Sequence, residues 1–181
     1  AATGVVFFLG VPEAEVAGRE HSHHQILRAY DEPLGNGNNM FVSVSAQGDT
    51  TSAPAGYRAV VLSTHWDVEP WQRLDEGAYE RKKVEAGERL VEGARRVYPS
   101  LGTDCVVYEV GTPVTYEEFT ARPRGAIGGY RQTLANTNQH AVPQDIGVDG
   151  FYLAGDTTWP GLGTVACLVG SKIAAERVLD G

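Results

Sequence analysis

The chain has 181 residues, of which 42% are hydrophobic and 21% are charged, a globular composition that argues against disorder. Its formal net charge of −8 argues against nucleic-acid binding and against an electrostatic anchor on anionic lipid. No uncharged run reaches the roughly 18 apolar residues of a membrane-spanning helix, so we expect any membrane contact to be peripheral. Cys105 and Cys167 lie far apart in the sequence, and we expect free thiols in a reducing, cytoplasmic compartment.

The first half of the chain predicts an antiparallel sheet. Residues 5–9 form an apolar run, and residues 41–45 alternate apolar and polar side chains. Residues 59–64 form a third β-rich run after a polar connector. We expect the second and third runs to be antiparallel partners.

Two clusters in this half contain residue types used in metal binding or catalysis. Residues 21–27 include three histidines, but alternate strand side chains face opposite ways, and no acid or cysteine lies at ligand spacing. We therefore interpret this segment as a strand with solvated histidines and predict no metal site. His65 and Asp67 could do acid–base work, but no nucleophile accompanies them. We interpret residues 65–67 as a polar turn anchored by a tryptophan.

A long helix is predicted over residues 72–98. One face is predicted to carry Val84, Gly87, Val91, Ala94 and Tyr98, with Leu90 and Val97 beside it. Residues 106–110 then predict a strand. Residues 115–119 predict a short helical turn, with Thr115 as its cap and Glu118 completing a capping box.

The C-terminal stretch predicts a strand, a tight turn and a helix. Residues 151–154 form a short apolar run that is typical of a buried strand, and Asp156 follows its tip. Proline and glycine within residues 159–163 predict the turn. The helix after it is nearly all apolar, so we expect it to be buried on several sides. Small residues recur on one of its faces: Ala166, Gly170 and Ala174.

Spacing alone leaves two interpretations of this turn open. A helix N-terminus preceded by glycines exposes N–H groups that suit a partial negative charge, and Asp156 could accept hydrogen bonds from sugar or ribityl hydroxyls. Gly161-x-Gly163-x-x-Ala166 satisfies a loose dinucleotide fingerprint, but the strand ends too early and too few residues follow. The other interpretation is that the glycines serve packing alone, because most Gly/Pro turns hold no ligand.

A resemblance favours the first interpretation. The turn contains Gly155-Asp156-Thr157-Thr158-Trp159-Pro160-Gly161-Leu162-Gly163, and residues 174–179 continue the pattern. This combination resembles the C-terminal flavin motif of the carotenoid desaturase and carotenoid isomerase family, which belongs to the phytoene-dehydrogenase-like flavoproteins. The likeness continues upstream and covers about residues 80–179. Leu162 and Lys172 depart from the residues common in the family, which leaves the subfamily open.

The resemblance implies FAD as the cofactor. In the family, the acid that matches Asp156 helps to hold the ribityl-pyrophosphate part, and the turn that matches residues 160–163 lies along the isoalloxazine ring. The helix start is implied to face the N1–C2=O edge of that ring, and the loop of residues 122–131 to lie near the flavin. We add the expectation that Arg122 or Arg124 stabilises negative charge on reduced flavin or on pyrophosphate. The cofactor-binding residues expected on this basis are Gly128, Gly129, Gly155, Asp156, Pro160, Gly161, Leu162, Gly163 and Thr164.

The resemblance also predicts the domain organisation. Members of the family begin with a Gly-x-Gly-x-x-Gly fingerprint that holds the ADP half of FAD, and the sequence supplies none. We therefore expect the C-terminal piece of a longer flavoprotein, inactive without its N-terminal FAD-binding half as partner. The expected fold is α+β. Residues 1–125 would form an antiparallel sheet with helices within a substrate-binding domain, and residues 126–181 the C-terminal strand-turn-helix of an FAD-binding α/β domain.

The implied function is that of an FAD-dependent oxidoreductase acting on a long apolar polyene, by carotenoid desaturation or cis–trans isomerisation. A polyene has no handle for acid–base chemistry, so we name no catalytic residue and expect the sheet to wall an apolar tunnel. One alternative is an amine-oxidase-like flavoenzyme, with Tyr130 and Trp159 as a candidate aromatic cage. The other is a non-catalytic protein that binds an apolar ligand without flavin.

Overall fold

The computed structural model of the chain describes residues 2–129, 133–137 and 140–180. The chain divides into two compact units, Ala1–Gly125 and Ala126–Gly181. That the first is a substrate-binding domain and the second a segment of an FAD-binding domain stays a prediction. Among the described residues, no helix combines the length and the apolar character needed to cross a bilayer.

The first unit is built on a five-stranded antiparallel sheet. Its strands are β1 (Ala2–Pro12), β2 (His23–Leu27), β3 (Asn39–Val44), β4 (Tyr57–Asp67) and β5 (Val107–Gly111). The strand order is β2-β3-β4-β1-β5, so β1 lies between β4 and β5. The predicted runs are strands, and β3 and β4 are antiparallel partners as expected. The α+β fold class is confirmed.

Helices and short 3₁₀ turns connect or follow these strands in the described part of the chain. The helices are α1 (Glu76–Ala94), α2 (Pro113–Thr120) and α3 (Thr164–Asp180). The 3₁₀ turns are Glu13–Glu15, Glu69–Trp71 and Pro123–Gly125.

One face of the sheet packs against α1 to form the core. Its buried side chains alternate along the strands and include Val5, Phe7, Leu9, Met40, Val42, Val60, Leu62 and, from α1, Leu90. Gly87 lets α1 approach the sheet closely, because a Cβ there would lie 2.9 Å from Val110 Cγ2. The predicted place of Gly87 on the packed face of the helix is confirmed.

α1 is shorter than predicted, and its buried stripe is rotated from the predicted one. The Asp75 carboxylate caps it by accepting a first-turn N–H at 2.8 Å, and the helix ends before Tyr98, which is nevertheless buried. Ala86 and Gly93 belong to the buried stripe, which moves its centre away from Val84. The placement of Val84 in the core face is therefore wrong, and its side chain is 48% exposed.

α2 begins earlier than predicted. Thr112 is its N-cap: Thr112 Oγ1 accepts from Thr115 N at 3.4 Å, and Thr115 Oγ1 accepts from Thr112 N at 3.1 Å. Pro113 occupies the first turn, where its missing N–H needs no partner. The choice of Thr115 as cap with Glu118 as its partner is therefore wrong by one helical turn.

Residues 65–67 belong to β4 rather than to a turn. β1 extends back to Ala2, so the backbone ladder continues as far as Asp67. Trp66 packs edge-on against Trp71, with ring centroids 6.0 Å apart. The prediction of a polar turn is wrong because the length of the partner strand, which is distant in sequence, decides where β4 ends.

The histidine segment forms β2, as interpreted. His23 is exposed, but His24 Nε2 hydrogen-bonds with the Tyr98 hydroxyl at 3.0 Å and is half-buried, so only part of the cluster is solvated. No group of His, Cys, Asp and Glu side chains able to hold a metal ion occurs within the described residues.

Candidate functional site

The second unit contains the glycine-rich turn at residues 155–163. Gly155, Gly161 and Gly163 have φ angles of 133°, 109° and 111°, which residues with a Cβ rarely adopt. Thr158 closes the first part of the turn by donating from its N, at 3.2 Å, and from its Oγ1, at 2.9 Å, to the Gly155 carbonyl. The path of the backbone therefore requires these glycines, whatever else they do.

The strand predicted at residues 151–154 is not formed. Tyr152 makes an isolated antiparallel bridge to Asp145, and Phe151 and Ala154 are exposed. A short apolar run becomes a strand only when neighbouring strands complete its ladder. The described residues of the second unit supply single bridges, so this part of the prediction is wrong.

Residues 142–145 hold the turn from one side. Trp159 N donates to the Val142 carbonyl at 2.8 Å, and Leu153 N donates to the Gln144 carbonyl at 2.8 Å. The Gln144 side chain is buried, and its Nε2 donates to the Trp159 carbonyl. Gln144 is a structural residue of the site that the sequence analysis missed, because a glutamine in a polar connector has no distinguishing pattern.

α3 packs on the turn through its small residues. A Cβ at Gly170 would lie 3.1 Å from the Trp159 carbonyl oxygen and 3.6 Å from Pro160 Cδ. Ala174 is buried on the same face. The expected close approach of this face is confirmed, and the group that it approaches is the turn of the same chain.

Most of α3 is exposed, contrary to the prediction. Val165 is 75% exposed and Leu179 is 84% exposed. The turn covers the small-residue face, and within the described residues the other apolar side chains of the helix are largely uncovered. Apolar composition favours the burial of a helix, but burial also requires other elements that pack against the helix.

The glycine pair at residues 128–129 lies against the same turn. A Cβ at Gly128 would lie 3.0 Å from Leu162 Cδ1, and a Cβ at Gly129 would overlap Thr157 and lie 2.8 Å from the Asp156 carbonyl oxygen. The structure therefore brings these two predicted parts of the site together. The backbone at Gly128 and Gly129 packs against the turn at residues 155–163. This contact explains why both positions are glycine, and no ligand is needed to explain it.

The end of the turn and the start of α3 are accessible. Leu162, Gly163 and Thr164 are exposed, and no neighbouring atom of the described residues lies within 4 Å of the place where a Cβ on Gly155 or Gly163 would stand. Cys167 N donates to the Gly163 carbonyl at 2.8 Å, so the helical hydrogen bonds begin there. The preceding N–H groups have no helical acceptor and give this edge a partial positive charge.

The glycine-rich turn and the start of α3 offer groups that suit different parts of one ligand. Asp156 is half-buried at the start of the turn, and Pro160 is half-buried while Gly161 is fully buried. A carboxylate can accept hydrogen bonds from hydroxyl groups, and the edge without side chains admits a flat ring. Free N–H groups at a helix start stabilise a partial negative charge. The residues present therefore fit a planar ligand that carries hydroxyl groups and a partly negative edge.

The remaining candidate residues of the sequence have different outcomes. Arg124 Nη2 pairs with Glu69 Oε1 at 2.8 Å within the first unit, so its guanidinium already has an anionic partner. The Glu69 backbone N–H and the Arg124 guanidinium hold the pKa of the Glu69 carboxyl below its usual value. Trp159 is exposed, whereas Tyr130 lies outside the described residues.

The first unit offers an apolar surface on the sheet face opposite α1, which we call the open sheet face. Phe8 of β1 and Phe41 of β3 lie on it and are exposed. A groove of about 420 Å³ runs along it, and none of the described residues that line it is charged. The side chains that line the groove include Phe8, Ala53, Pro54, Tyr57, Val61 and Val107.

The chain is similar to proteins of carotenoid metabolism. It is 29% identical over 161 residues to the chloroplastic prolycopene isomerase of Arabidopsis thaliana, which covers 86% of this chain and 27% of that protein. It is 27% identical over 175 residues to the chloroplastic prolycopene isomerase of Daucus carota, and this match covers 94% of the chain and 28% of that protein. It is 34% identical over 76 residues to the phytoene desaturase of Fusarium fujikuroi, and this match covers 39% of the chain and 12% of that protein. No protein-family model matches the chain.

The names of these relatives describe an isomerase and a desaturase, both of carotenoid metabolism. The chain spans little more than a quarter of the length of the two isomerases, and the match extends over most of the chain itself. The desaturase match extends over a shorter stretch of the chain. These matches support the resemblance to the carotenoid desaturase and carotenoid isomerase family, over a partial region of its members.

Proposed function

We propose that this chain forms part of an FAD-dependent oxidoreductase that acts on a long apolar polyene, by carotenoid desaturation or cis–trans isomerisation. The names of the relatives support the enzyme class and the carotenoid substrate. The observation that carries the cofactor assignment is the open, side-chain-free edge at Gly155 and Gly163 next to the start of α3.

FAD would supply the redox chemistry, because its isoalloxazine ring exchanges hydride equivalents. Asp156 would accept hydrogen bonds from the ribityl hydroxyls, and residues 160–163 would lie along the ring. The first-turn N–H groups of α3, from Thr164 onward, would stabilise negative charge on the facing edge. Gly128 and Gly129 would support the turn rather than contact the ring, because their backbone packs against it.

The open sheet face would provide one wall for the polyene. Its groove has apolar walls and no charged lining residue among those described, which suits a hydrocarbon without polar groups. Phe8 and Tyr57 are aromatic side chains of the lining, and Phe8 is 45% exposed. Burial of a polyene against this surface would remove apolar area from water on both partners.

The ADP half of FAD would be held by a region outside these 181 residues. The Arabidopsis relative supports this part of the proposal, because the match covers only 27% of its length. On this basis the 181-residue chain alone should bind flavin weakly and be inactive. The free thiols of Cys105 and Cys167 accord with a reducing compartment.

The cofactor proposal is tested by flavin retention in the complete protein that the gene encodes. Asp156→Ala should reduce flavin retention about ten-fold or more, because hydrogen bonds to a charged group are lost. Asp149→Ala is the control, since Asp149 is an exposed acid of the same unit. Unchanged retention in Asp156→Ala would remove this residue from the site. Tight stoichiometric flavin on the 181-residue chain alone would contradict the divided site.

The substrate proposal is tested by assaying the same complete protein with a polyene and with an amine. Conversion of the polyene supports the proposal, whereas oxidation of the amine supports the amine-oxidase-like alternative. Polyene binding without flavin or turnover supports the non-catalytic alternative. Phe8→Ser should weaken polyene binding, and Phe119→Ser, at an exposed phenylalanine of α2 outside the groove, should not.

A further inference from the structure

The helix α3 has two sides, and the described residues cover one of them. Gly170 and Ala174 are buried on the side that faces the turn at residues 155–163. On the outer side, Val165 is 75% exposed, Leu168 is 66% exposed and Leu179 is 84% exposed. The outer side of α3 is therefore an apolar surface that the described part of the chain leaves open to solvent.

The exposed apolar side chains of α3 form one continuous stripe. Val165, Leu168, Val169 and Leu179 occupy positions i, i+3, i+4 and i+14, which share one side of a helix with 3.6 residues per turn. We call these four residues the outer α3 stripe. Contiguous apolar surface of this kind usually marks a site of interaction, because water is a poor solvent for it.

The charges within the outer α3 stripe offset each other. Lys172 and Glu176 lie at stripe positions between Val169 and Leu179, and Lys172 Nζ is 3.6 Å from Glu176 Oε1. A charged partner surface gains little net attraction from such a pair. An apolar partner surface suits the stripe better, since contact removes apolar area from water on both sides.

The stripe begins beside the open edge at which the flavin is proposed to lie. Leu162 is 60% exposed, Gly163 belongs to that edge, and Val165 lies in the first turn of α3. A cofactor that lies along residues 160–163 and continues into a second region brings that region to the start of α3. The second region then meets the outer α3 stripe, because the stripe starts at the same place.

The similarity to longer proteins leaves room for such a region. The match to the Arabidopsis thaliana prolycopene isomerase covers 86% of this chain but 27% of that protein. A complete protein of comparable length has most of its residues outside the part that corresponds to this chain. An occupant for the stripe is therefore available within the same protein.

We propose that the outer α3 stripe is the surface on which the region that holds the ADP half of FAD docks, through an apolar surface of its own. This inference rests on the proposed function, which supplies the second region. The docking is driven by the burial of apolar side chains rather than by the cofactor, so it persists when flavin is removed.

The test measures cysteine accessibility in the complete protein that the gene encodes. Val165→Cys and Leu168→Cys are treated with a maleimide in buffer without lipid, in the folded state and in urea, and the labelled peptides are quantified by mass spectrometry. Both cysteines should react at least about ten-fold more slowly in the folded protein, with flavin bound and after its removal, because reaction then requires local opening. Fast reaction in the folded protein would overturn the proposal.

Val84→Cys is the matched control for this measurement. Val84 is also a helical valine, on α1, and it is 48% exposed. Its cysteine should react at nearly the same rate in the folded protein and in urea, which shows that the maleimide reaches an exposed helical position. Slow reaction at the stripe together with fast reaction at residue 84 supports the proposal.

A cross-link identifies what covers the stripe. Ser171 is exposed on α3 beside Leu168, so a benzophenone maleimide on Ser171→Cys reaches the rim of the contact. On illumination it should attach to the region outside these 181 residues that contains a Gly-x-Gly-x-x-Gly fingerprint. Attachment to residues 1–125, to a second copy of the protein or to nothing would refute the assignment.

The same measurements separate this inference from the proposed function. Slow reaction at Val165→Cys and Leu168→Cys in a complete protein that never binds flavin would count against the cofactor and support the docking surface. Fast reaction at both positions in a complete protein that retains flavin would count against the docking surface alone.

Discussion

Substitution of Gly125 should damage the first unit severely. Gly125 ends the 3₁₀ turn after α2 with a φ of 61°, and a Cβ there would overlap the Pro113 carbonyl oxygen and lie 2.6 Å from its carbonyl carbon. The Gly125 carbonyl accepts a hydrogen bond from the buried Thr3 Oγ1 at 2.7 Å. The turn therefore cannot move away from Pro113 without breaking that bond.

The expected effect of Gly125→Ala combines three terms. A left-handed backbone costs a residue with a Cβ about 1–2 kcal/mol. Overpacking against the Pro113 backbone adds about 1–3 kcal/mol. A Thr3 hydroxyl left unpaired in the interior adds about 1–3 kcal/mol. The sum is roughly 3–8 kcal/mol, against a typical domain stability of about 5–15 kcal/mol.

Gly56→Ala is the matched control for this prediction. Gly56 also has a positive φ, of 83°, but within the described part of the chain no neighbouring atom lies within 4 Å of the place where its Cβ would stand. It should lose only the backbone term of about 1–2 kcal/mol. Urea unfolding followed by circular dichroism measures both variants. If Gly125→Ala were no less stable than Gly56→Ala, the close contact with Pro113 would not be the reason for the glycine.

Glu15→Gln should destabilise the first unit by about 1–3 kcal/mol, as measured by thermal unfolding. The buried Glu15 carboxylate accepts hydrogen bonds from Gly102 N and Asp104 N, each at 2.7 Å. An amide has only one acceptor oxygen, so one of these bonds would be lost. Hydrogen bonds from Ser52 and Thr51 lower the pKa of Asp49 from 3.8 to about 2, so their stabilisation of this loop is present above pH 3.8 and lost as the pH falls towards 2. Titration of the Thr51 amide resonance near pH 4 would contradict that. Burial raises the pKa of the Cys105 thiol, so its alkylation should need a higher pH than that of an unstructured peptide thiol, and equal rates at every pH would contradict it.

The elements of the first unit were largely predictable, but their ends were not. Alternation in residues 41–45 and the apolar run at residues 5–9 located two strands, because side-chain period is a local property. The extension of β4 through Trp66 depends on β1 reaching Ala2, far away in the sequence. The start of α2 was misplaced because both Thr112 and Thr115 are good caps. Pro113 favours the first helical position and so marks Thr112 as the cap, a local signal that was overlooked.

The candidate site was also only partly predictable from the sequence. The glycine and proline pattern of residues 155–163 indicated a special turn, because positive φ angles favour glycine wherever they occur. The support of that turn by Gln144, and the contact of Gly129 with Thr157, could not be anticipated. These contacts join segments whose separate sequences contain no sign of one another.

The sequence by itself determined the α+β class, the glycine-rich turn before α3 and the resemblance to carotenoid desaturases and isomerases. Backbone propensity, side-chain period and turn chemistry act over a few residues, so a single stretch is enough to reveal them. Only the tertiary structure decided that residues 151–154 form no strand, that α3 is exposed along most of its length and that the Trp71 indole N–H has no hydrogen-bond partner among the described residues. Each of these depends on which distant groups arrive beside a residue, because burial and hydrogen-bond satisfaction are properties of the packed neighbours rather than of the residue itself.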